Sequence, residues 1–319
     1  MVPVNGRAES EGVLRLLTIS DVRSWEQMPG LLAAWKPDVV VLAGDLVHDG
    51  GVDLAPIWKR HPEFQEGLAR IHRKFGREPG GRLHGKAPPL SLLRAVDSLK
   101  DRLARGTAFD ELYRKYHVGG FYRFLGRAGR QCPVLVVQGN HDENEDYSLE
   151  RINSIRGCQE ISGRRVEIKG TTFLGVSHFI GNRRGRFKEL EAANPGGAEV
   201  VVAHPPLATT PFHAKLASRL LIKGHYWPGT WMVEGKPTVF TSEVHHSVIE
   251  LAPDGHPRIG QWLRRKGGFG RFEGDRRAKW FLGLHEHKPW LRPYPFVSVA
   301  APNPKWELPA PATIPMEQA

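Results

Sequence analysis

Residues 133–143 read PVLVVQGNHDE, and this stretch decides the fold class. A short apolar run of strand length is followed at once by an amide, an imidazole and two carboxylates. Polar side chains directly after a buried strand must find partners or stay in contact with water. Residues 37–49, PDVVVLAGDLVHD, repeat the arrangement. Two predicted strands therefore end in groups that packing alone does not require.

Similar apolar runs alternate with helix-like segments along much of the chain. They are rich in branched residues and end in polar residues or glycine, which is typical of strands buried on both faces. The predicted strands are 14–20, 37–44, 133–139, 171–177, 198–204 and 220–225. Two later runs, 237–242 and 245–252, also have strand character, and their spacing is compatible with a hairpin. The pattern predicts an α/β fold.

Two regions depart from this alternation. Residues 50–131 have apolar residues at helical spacing, including Leu92, Val96, Leu99 and Leu103, and predict a helical insertion. An insertion placed between two strand-end motifs forms either a cap over a substrate pocket or a structural subdomain. We divide the chain into a main domain, 1–254, which contains the insertion, and a basic, aromatic-containing C-terminal extension and tail, 255–319.

Length and composition set the broad class. The 319 residues allow one large domain or two small ones with a substantial core. Two cysteines, Cys132 and Cys158, are too few for a disulfide framework and fit a reducing compartment. The first twenty residues lack the apolar core of a signal peptide, and no run of about eighteen apolar residues is present. The sequence predicts a cytoplasmic protein without a membrane span.

The net charge of +11 is concentrated in two parts of the chain. Residues 46–138 contain 17 lysines and arginines against 9 aspartates and glutamates. From Asp254 onward the ratio is 11 to 6. Basic surfaces favour anionic partners, either phosphorylated ligands or nucleic acid, although a solvated basic face explains the same composition.

Side chains of the types that can hold metal ions stand at the ends of the predicted strands. They are Asp21, Asp45, Asn140, His141, Asp142, His204 and His225. In open α/β folds the carboxyl ends of the strands gather at one edge, where ligands bind. Carboxylate, amide and imidazole together suit Mn, Fe or Zn, and Mg is a further candidate. A carboxylate such as Asp45 can bridge two cations, and paired cations clamp phosphate and activate water.

In these motifs and their order the chain resembles the calcineurin-like metallophosphoesterases. That family has D-x-H, G-D, G-N-H-D/E, a lone histidine and G-H-x-H, each after a strand. The corresponding segments are SDVR (20–23), GDLVHD (44–49), GNHDE (139–143), AHPP (203–206) and GHYW (224–227). The resemblance spans roughly 14–252. It implies a four-layer α/β/β/α sandwich and phosphoester hydrolysis.

The resemblance also implies roles for individual residues. Asp45 would bridge two metals, and Asp21 would ligate the first. Asn140, His204 and His225 would complete the second site. His141 would act as a general acid beside the phosphate, oriented by Asp142.

Two positions depart from the family pattern, and both belong to the first metal site. Arg23 stands where D-x-H has its histidine, and Trp227 where G-H-x-H has its last one. A guanidinium cannot ligate a metal but can hold a phosphate oxygen bidentately. Three outcomes follow. In the first, the chain binds one ion and Arg23 holds the phosphate. In the second, other histidines complete the site begun by Asp21 and Asp45, so that two ions bind. In the third, catalysis is lost and a metal- or phosphate-binding fold remains. The candidate replacement ligands are His48, His245 and His246.

The predicted function is that of a metal-dependent phosphoester hydrolase in which a metal-activated water attacks phosphorus directly. Extended anionic substrates suit the basic surfaces, so phosphodiesters are slightly favoured over monoesters. The alternative is a non-catalytic or nucleic-acid-binding protein on the same fold. Residues 262–281 interleave aromatic, basic and glycine residues, as nucleic-acid contacts and ordinary loops both do. The His-x-His in 283–290 could ligate a metal in an extended segment, but without a neighbouring strand pattern we expect a surface loop. An extended or disordered tail is expected at the C-terminus.

Overall fold

Two β-sheets with helices on their outer faces make up the described part of the chain. The computed structural model describes residues 12–22, 24–47, 55–74, 90–205, 209, 213–225, 229–241, 245–253, 257–265, 268–271 and 291–293. In these ranges no helix combines the length and the apolar character that crossing a membrane requires.

The first sheet has seven strands in the described residues, in the order β13-β12-β11-β1-β2-β3-β4. Their bounds are β1 (Leu14–Ile19), β2 (Val39–Ala43), β3 (Val134–Val137), β4 (Cys158–Glu160), β11 (His245–Leu251), β12 (Arg258–Arg265) and β13 (Gly268–Arg271). Strands β1 to β4 run parallel, while β11 pairs antiparallel with β1. The carboxyl ends of β1, β2 and β3 therefore share one edge.

The second sheet, also of seven strands within the described ranges, has the order β14-β9-β10-β8-β7-β6-β5. Its strands are β5 (Arg165–Ile168), β6 (Thr171–Val176), β7 (Val200–Ala203), β8 (Leu220–Lys223), β9 (Gly229–Val233), β10 (Lys236–Phe240) and β14 (Leu291–Pro293). Strands β6, β7, β8 and β10 are parallel, with antiparallel strands at both edges. The carboxyl ends of β6, β7 and β8 thus form a second shared edge.

The helices cover the outer faces of the two sheets. They are α1 (Met28–Trp35), α2 (Ala55–Arg60), α3 (Pro62–Lys74), α4 (Leu90–Leu103), α5 (Thr107–Leu112), α6 (Gly119–Ala128), α7 (Leu149–Ser154), α8 (His178–Gly181) and α9 (Arg184–Ala193). A 3₁₀ turn, Trp25–Gln27, precedes α1, and a π-helical stretch, Tyr113–Val118, joins α5 to α6.

Alternation along the buried strands builds three apolar layers. Leu16 of β1 faces the second sheet and packs with residues such as Ile222, whereas its neighbour Leu17 faces the helices on the first sheet. On the second sheet, Val201 faces the helix side and shares a cluster with Leu190 of α9. Successive strand side chains point to opposite faces, so continuous apolar runs supply two cores at once. The result is the predicted α/β four-layer sandwich.

The insertion is helical, as its spacing predicted, and it shares the core of the first sheet. Leu99 and Leu103 of α4 are buried in the same cluster as the β1 and β2 side chains. Trp58 of α2 packs against Phe109 of α5, with ring centroids 4.8 Å apart. Helix α6 packs on α1. The insertion is therefore integrated into the helical layer of the first sheet.

Two features of the C-terminal half differ from simple expectation. Strands β10 and β11 lie in different sheets, so they do not form a hairpin. The chain crosses between the sheets beside Thr241, whose Oγ1 donates to the Thr18 carbonyl of β1 at 2.9 Å. Beyond residue 254, strands β12 and β13 extend the first sheet and β14 extends the second. The domain boundary at 254 stays a prediction. Residues 283–290 and the tail from 294 lie outside the described residues.

Candidate metal centre

The predicted ligand residues follow the carboxyl ends of five parallel strands, three in one sheet and two in the other. Asp21, Asp45 and Asn140 follow β1, β2 and β3, and His204 and His225 follow β7 and β8. Because strand ends gather at the edges of the two sheets, side chains far apart in sequence meet here. Asp45, His204 and His225 each offer a ligand atom, and these three atoms lie within 4.8 Å of one another.

Short distances connect the members of this triad. His204 Nε2 lies 3.2 Å from Asp45 Oδ2, and His225 Nδ1 lies 3.1 Å from His204 Nε2. His225 Nδ1 is 4.0 Å from the same Asp45 oxygen. One carboxylate and two imidazole nitrogens thus converge, and this is a donor set that transition-metal ions accept.

His204 is fixed in orientation by its other ring nitrogen. Nδ1 donates to the Ala43 carbonyl at 2.6 Å, which turns Nε2 toward Asp45. A backbone carbonyl in this position is a common way of orienting a metal-ligating histidine. Burial alone would lower the pKa of His204, but the hydrogen bond and charge of Asp45 outweigh it and raise the pKa to about 9. Burial alone would raise the pKa of the Asp45 carboxyl. The hydrogen bond and positive charge of His204 outweigh burial and hold that pKa well below its usual range.

Asp21 lies beside the triad and is held by hydrogen bonds of its own. Its Oδ2 accepts from the His225 backbone N–H at 3.0 Å and from the Ser20 hydroxyl. Burial raises the pKa of Asp21 to about 6, and burial together with the charge of His204 lowers the pKa of His225 to about 4. In the metal-free protein at neutral pH, His225 is therefore an uncharged imidazole with a lone pair to offer.

The backbone at three of these positions is left-handed. The φ angles are 52° at Asp21, 54° at Asp45 and 74° at His225. Among the described residues only three other non-glycine residues have positive φ, and those are Lys36, Lys169 and Glu234. Left-handed backbone is unfavourable for side chains larger than glycine, and such strain concentrates at functional sites.

The GNHD segment is anchored by Asp142, which is fully buried. Its Oδ1 accepts from the Leu46 and Val47 N–H groups at 2.7 and 2.8 Å, and its Oδ2 accepts from Gly139 N–H at 2.8 Å. The His141 N–H donates to Asp45 Oδ1 at 2.9 Å. Asp142 therefore ties the loop after β2 to the loop after β3 and so fixes the backbone that carries His141.

Asn140 provides an independent test of whether a cation fits. Its Oδ1 is buried and, within the described part of the chain, has no hydrogen-bond partner. A buried amide oxygen without a donor costs on the order of 1–3 kcal/mol, and a cation would remove that cost. Asp45, His204 and His225, which converge, and Asn140 are the four residues that the resemblance assigns to the second metal site, and their donor chemistry suits a divalent ion.

Of the replacement ligands considered for the first site, one side chain, that of His246, lies within the described residues. His246 is fully buried, and its Nε2 accepts from Trp35 Nε1 at 2.9 Å, on the helix side of the first sheet. Arg23, His48 and Trp227 lie outside the described residues, as does the side chain of His245. Whether the first site is altered stays a prediction.

His178 was missed by sequence reasoning. It follows β6 by two residues, and its ring centroid lies 6.0 Å from that of His225. Burial and the charge of His204 lower the pKa of His178, and the negative charges of Asp45 and Glu143 only partly oppose this. The one available signal was its position just past a predicted strand, in VSHF, where no family motif drew attention to it.

The two-sheet α/β sandwich, with candidate metal ligands clustered at its strand ends, agrees with the architecture that the resemblance implied. No protein-family model and no curated protein matches the chain.

Several solved structures are similar at low identity. Protein TT1561 of Thermus thermophilus is 13% identical, with a TM-score of 0.43, over 74% of this chain and 94% of that one. A conserved uncharacterized protein of Streptococcus pneumoniae, described as a predicted phosphoesterase, is 10% identical over 82% and 97%, with a TM-score of 0.33. A third structure is 14% identical over 78% and 99%, with a TM-score of 0.48. Similarity at this level carries no argument about activity.

Proposed function

We propose that the chain is a metal-dependent phosphoester hydrolase. The observation that carries this proposal is the convergence of Asp45, His204 and His225 within 4.8 Å. The GNHD loop meets this cluster through the His141 N–H, which donates to Asp45 Oδ1. A purely structural cluster would be expected to satisfy its buried polar atoms internally. In the same loop, the buried Asn140 amide oxygen has no partner among the described residues, and a cation held by the triad would offer it one.

The four residues would hold a divalent ion, for which Mn, Fe, Zn and Mg are the candidates. Such an ion would supply Lewis acidity, which activates water and polarises a phosphoryl oxygen at neutral pH. The protein's own contribution is positional. The Asp142 hydrogen bonds and the His141–Asp45 contact keep His141 at the edge of the site, where its imidazole would protonate the leaving alkoxide. We also propose that Arg23 contacts an equatorial phosphate oxygen.

We further propose that phosphodiesters are preferred and that nucleic acid is one candidate substrate. The described part of the insertion contains 14 lysines and arginines against 6 aspartates and glutamates. Many of these are exposed, and Arg70 and Arg102 line a groove between α3 and α4. Such a surface would attract an extended polyanion more strongly than a small monoester.

Hydrolysis of bis-p-nitrophenyl phosphate tests the catalytic proposal. The chelator-treated wild type is assayed with and without manganese, beside Asn140→Ala and His141→Asn. We expect manganese-dependent turnover that disappears in Asn140→Ala. His141→Asn should still bind manganese but lose roughly 100-fold or more in kcat, because only the acid is removed.

The alternative, a non-catalytic protein on this fold, predicts a different result. The wild type would then bind manganese without hydrolysing the ester under any divalent metal, and both variants would be indistinguishable from it in the assay. That outcome would refute the hydrolase proposal while leaving the metal centre in place.

A further inference from the structure

The side chain of Asn144 joins the backbone of the GNHD segment to the loop after β2. Its Nδ2 amide donates to the Val47 carbonyl at 2.9 Å and to the His141 carbonyl at 3.1 Å. Its Oδ1 accepts from the Asp146 N–H at 3.0 Å. The NH₂ group meets two acceptors and the oxygen meets one donor, so the orientation of the amide follows from its three backbone partners.

Asn144 completes a clamp that Asp142 begins. Asp142 accepts from the N–H groups of Leu46, Val47 and Gly139, whereas Asn144 donates to carbonyls. Val47 consequently has its N–H bound by Asp142 and its carbonyl bound by Asn144. The two side chains, one an acceptor and the other a donor, hold the loop after β2 against the loop after β3.

The contact with His141 links Asn144 to the candidate site. The His141 N–H donates to Asp45 Oδ1 at 2.9 Å, and the His141 carbonyl accepts from Asn144. The peptide groups on both sides of the His141 Cα are therefore anchored, one to a candidate metal ligand and the other to Asn144. Because the side chain leaves the backbone at that Cα, anchoring both peptide groups restricts where the imidazole lies relative to Asp45.

We propose that Asn144 is a positioning residue that holds the His141 imidazole where it protonates the leaving alkoxide. This role rests on the proposed hydrolase function and deepens it. Asn144 would contact neither substrate nor metal and would act through the His141 backbone. A misplacement of about 1 Å at a catalytic group can cost about 100-fold in rate, so a side chain that fixes this backbone affects turnover from a distance.

Two substitutions at Asn144 isolate the donated hydrogen bonds. Asn144→Ala removes the whole amide, whereas Asn144→Asp keeps an oxygen for the Asp146 N–H and removes the donors. The matched control is Asn194→Ala at the end of α9. Asn194 Nδ2 also donates to a backbone carbonyl, that of Leu190, at 2.8 Å.

Amide hydrogen exchange tests the anchoring without any assay of activity. In the metal-free protein we expect the His141 backbone amide to exchange roughly tenfold faster or more in both Asn144 variants, with Asn194→Ala unchanged from the wild type. Nuclear magnetic resonance measures these rates. Exchange at the wild-type rate would show that Asn144 does not hold the His141 backbone and would overturn the inference.

Kinetics test whether the anchoring serves the acid. With manganese, both Asn144 variants should lose roughly tenfold or more in kcat on bis-p-nitrophenyl phosphate, with KM and manganese affinity unchanged. The loss should be larger on diphenyl phosphate, because phenolate is the poorer leaving group and depends more on the acid. Adding Asn144→Ala to His141→Asn should cost nothing further, since the group that Asn144 positions is already absent.

Three kinetic results would overturn the inference. Unchanged kcat would show that the anchoring is not needed, and manganese affinity that falls together with kcat would show that Asn144 supports the metal ligands instead. A loss that is equal for both esters and adds to that of His141→Asn would indicate general damage to the fold. A wild type that hydrolyses neither ester removes the proposed function itself, and the role of Asn144 falls with it. The wild type alone therefore distinguishes the two failures.

Discussion

His204 links the charge of the candidate metal centre to its geometry. Its Nδ1 is fixed by the Ala43 carbonyl, and its Nε2 faces Asp45. In the metal-free protein the raised pKa of about 9 means that the ring is protonated at pH 7 and acts as the cation that Asp45 needs. A metal ion would take over that role, because metal-ligating imidazole is neutral.

Metal binding should consequently release a proton. His204 must lose one, whereas His225, with a pKa lowered to about 4, is already neutral. Below about pH 9 we expect manganese affinity to rise by up to tenfold per pH unit, with close to one proton released per ion at pH 7. Calorimetric titrations at several pH values around neutrality, in buffers of different ionisation enthalpy, measure both quantities. A flat affinity without proton release would contradict this assignment of charge.

The strand ends meet at glycines because larger residues would block the approach. A Cβ added to Gly139 would lie 2.2 Å from the backbone nitrogen and from Oδ1 of Asp45. A Cβ on Gly224 would lie 2.1 Å from the Ala43 carbonyl. The glycines of G-D, G-N-H-D and G-H are thus required by the close contact of β2 with its neighbours at the site.

Gly139→Ala should therefore displace Asp45. We expect manganese affinity to fall at least tenfold and the free energy of unfolding to fall by about 1–3 kcal/mol, as overpacking typically costs. Gly185→Ala in α9 is the matched control, because a Cβ there meets nothing within 4 Å. Calorimetry and chemical denaturation of the two variants provide the comparison. Equal behaviour of the two would show that the contact at Gly139 is not needed.

The sequence predicted the elements with strong local patterns and missed those defined by tertiary pairing. The six central strands were predicted because their apolar runs are buried on both faces. Strands β4 and β5 have three and four residues and carry exposed side chains, so they show no such run. The assignment of β10 and β11 to different sheets depends on long-range pairing that spacing cannot reveal.

The candidate site shows the same division. Asp45, His204 and His225 were identified through motifs at strand ends, and the structure brings them together. Asp142 was expected to orient His141. Its carboxylate accepts hydrogen bonds from three backbone N–H groups, which the sequence alone could not indicate. His178 was missed because its nearness to His225 arises only when β6 pairs beside β7.

The net charge of +11 of the whole chain predicts that binding to polyanions depends on salt concentration. If the insertion contacts nucleic acid, log affinity for single-stranded DNA should fall with log salt concentration, by about 0.7 for each phosphate contacted. Replacing Arg70 and Arg102 by alanine should make the slope shallower by about 1.4. Arg184 and Arg186 on α9, in the opposite helical layer, are the matched pair for replacement and should leave the slope unchanged. A wild-type slope near zero would rule out nucleic acid as a substrate.

The metal content of the protein reports on the candidate metal centre without depending on any substrate. Chelator-treated wild type, Asn140→Ala, His204→Ala and, as a control, His72→Ala on α3 would be dialysed against manganese and assayed for bound ion. We predict at least one tightly bound ion per chain in the wild type and in His72→Ala, and loss of that ion in the other two variants. A wild type without bound metal, or variants at Asn140 and His204 that keep as much as the wild type, would contradict the metal centre proposed here.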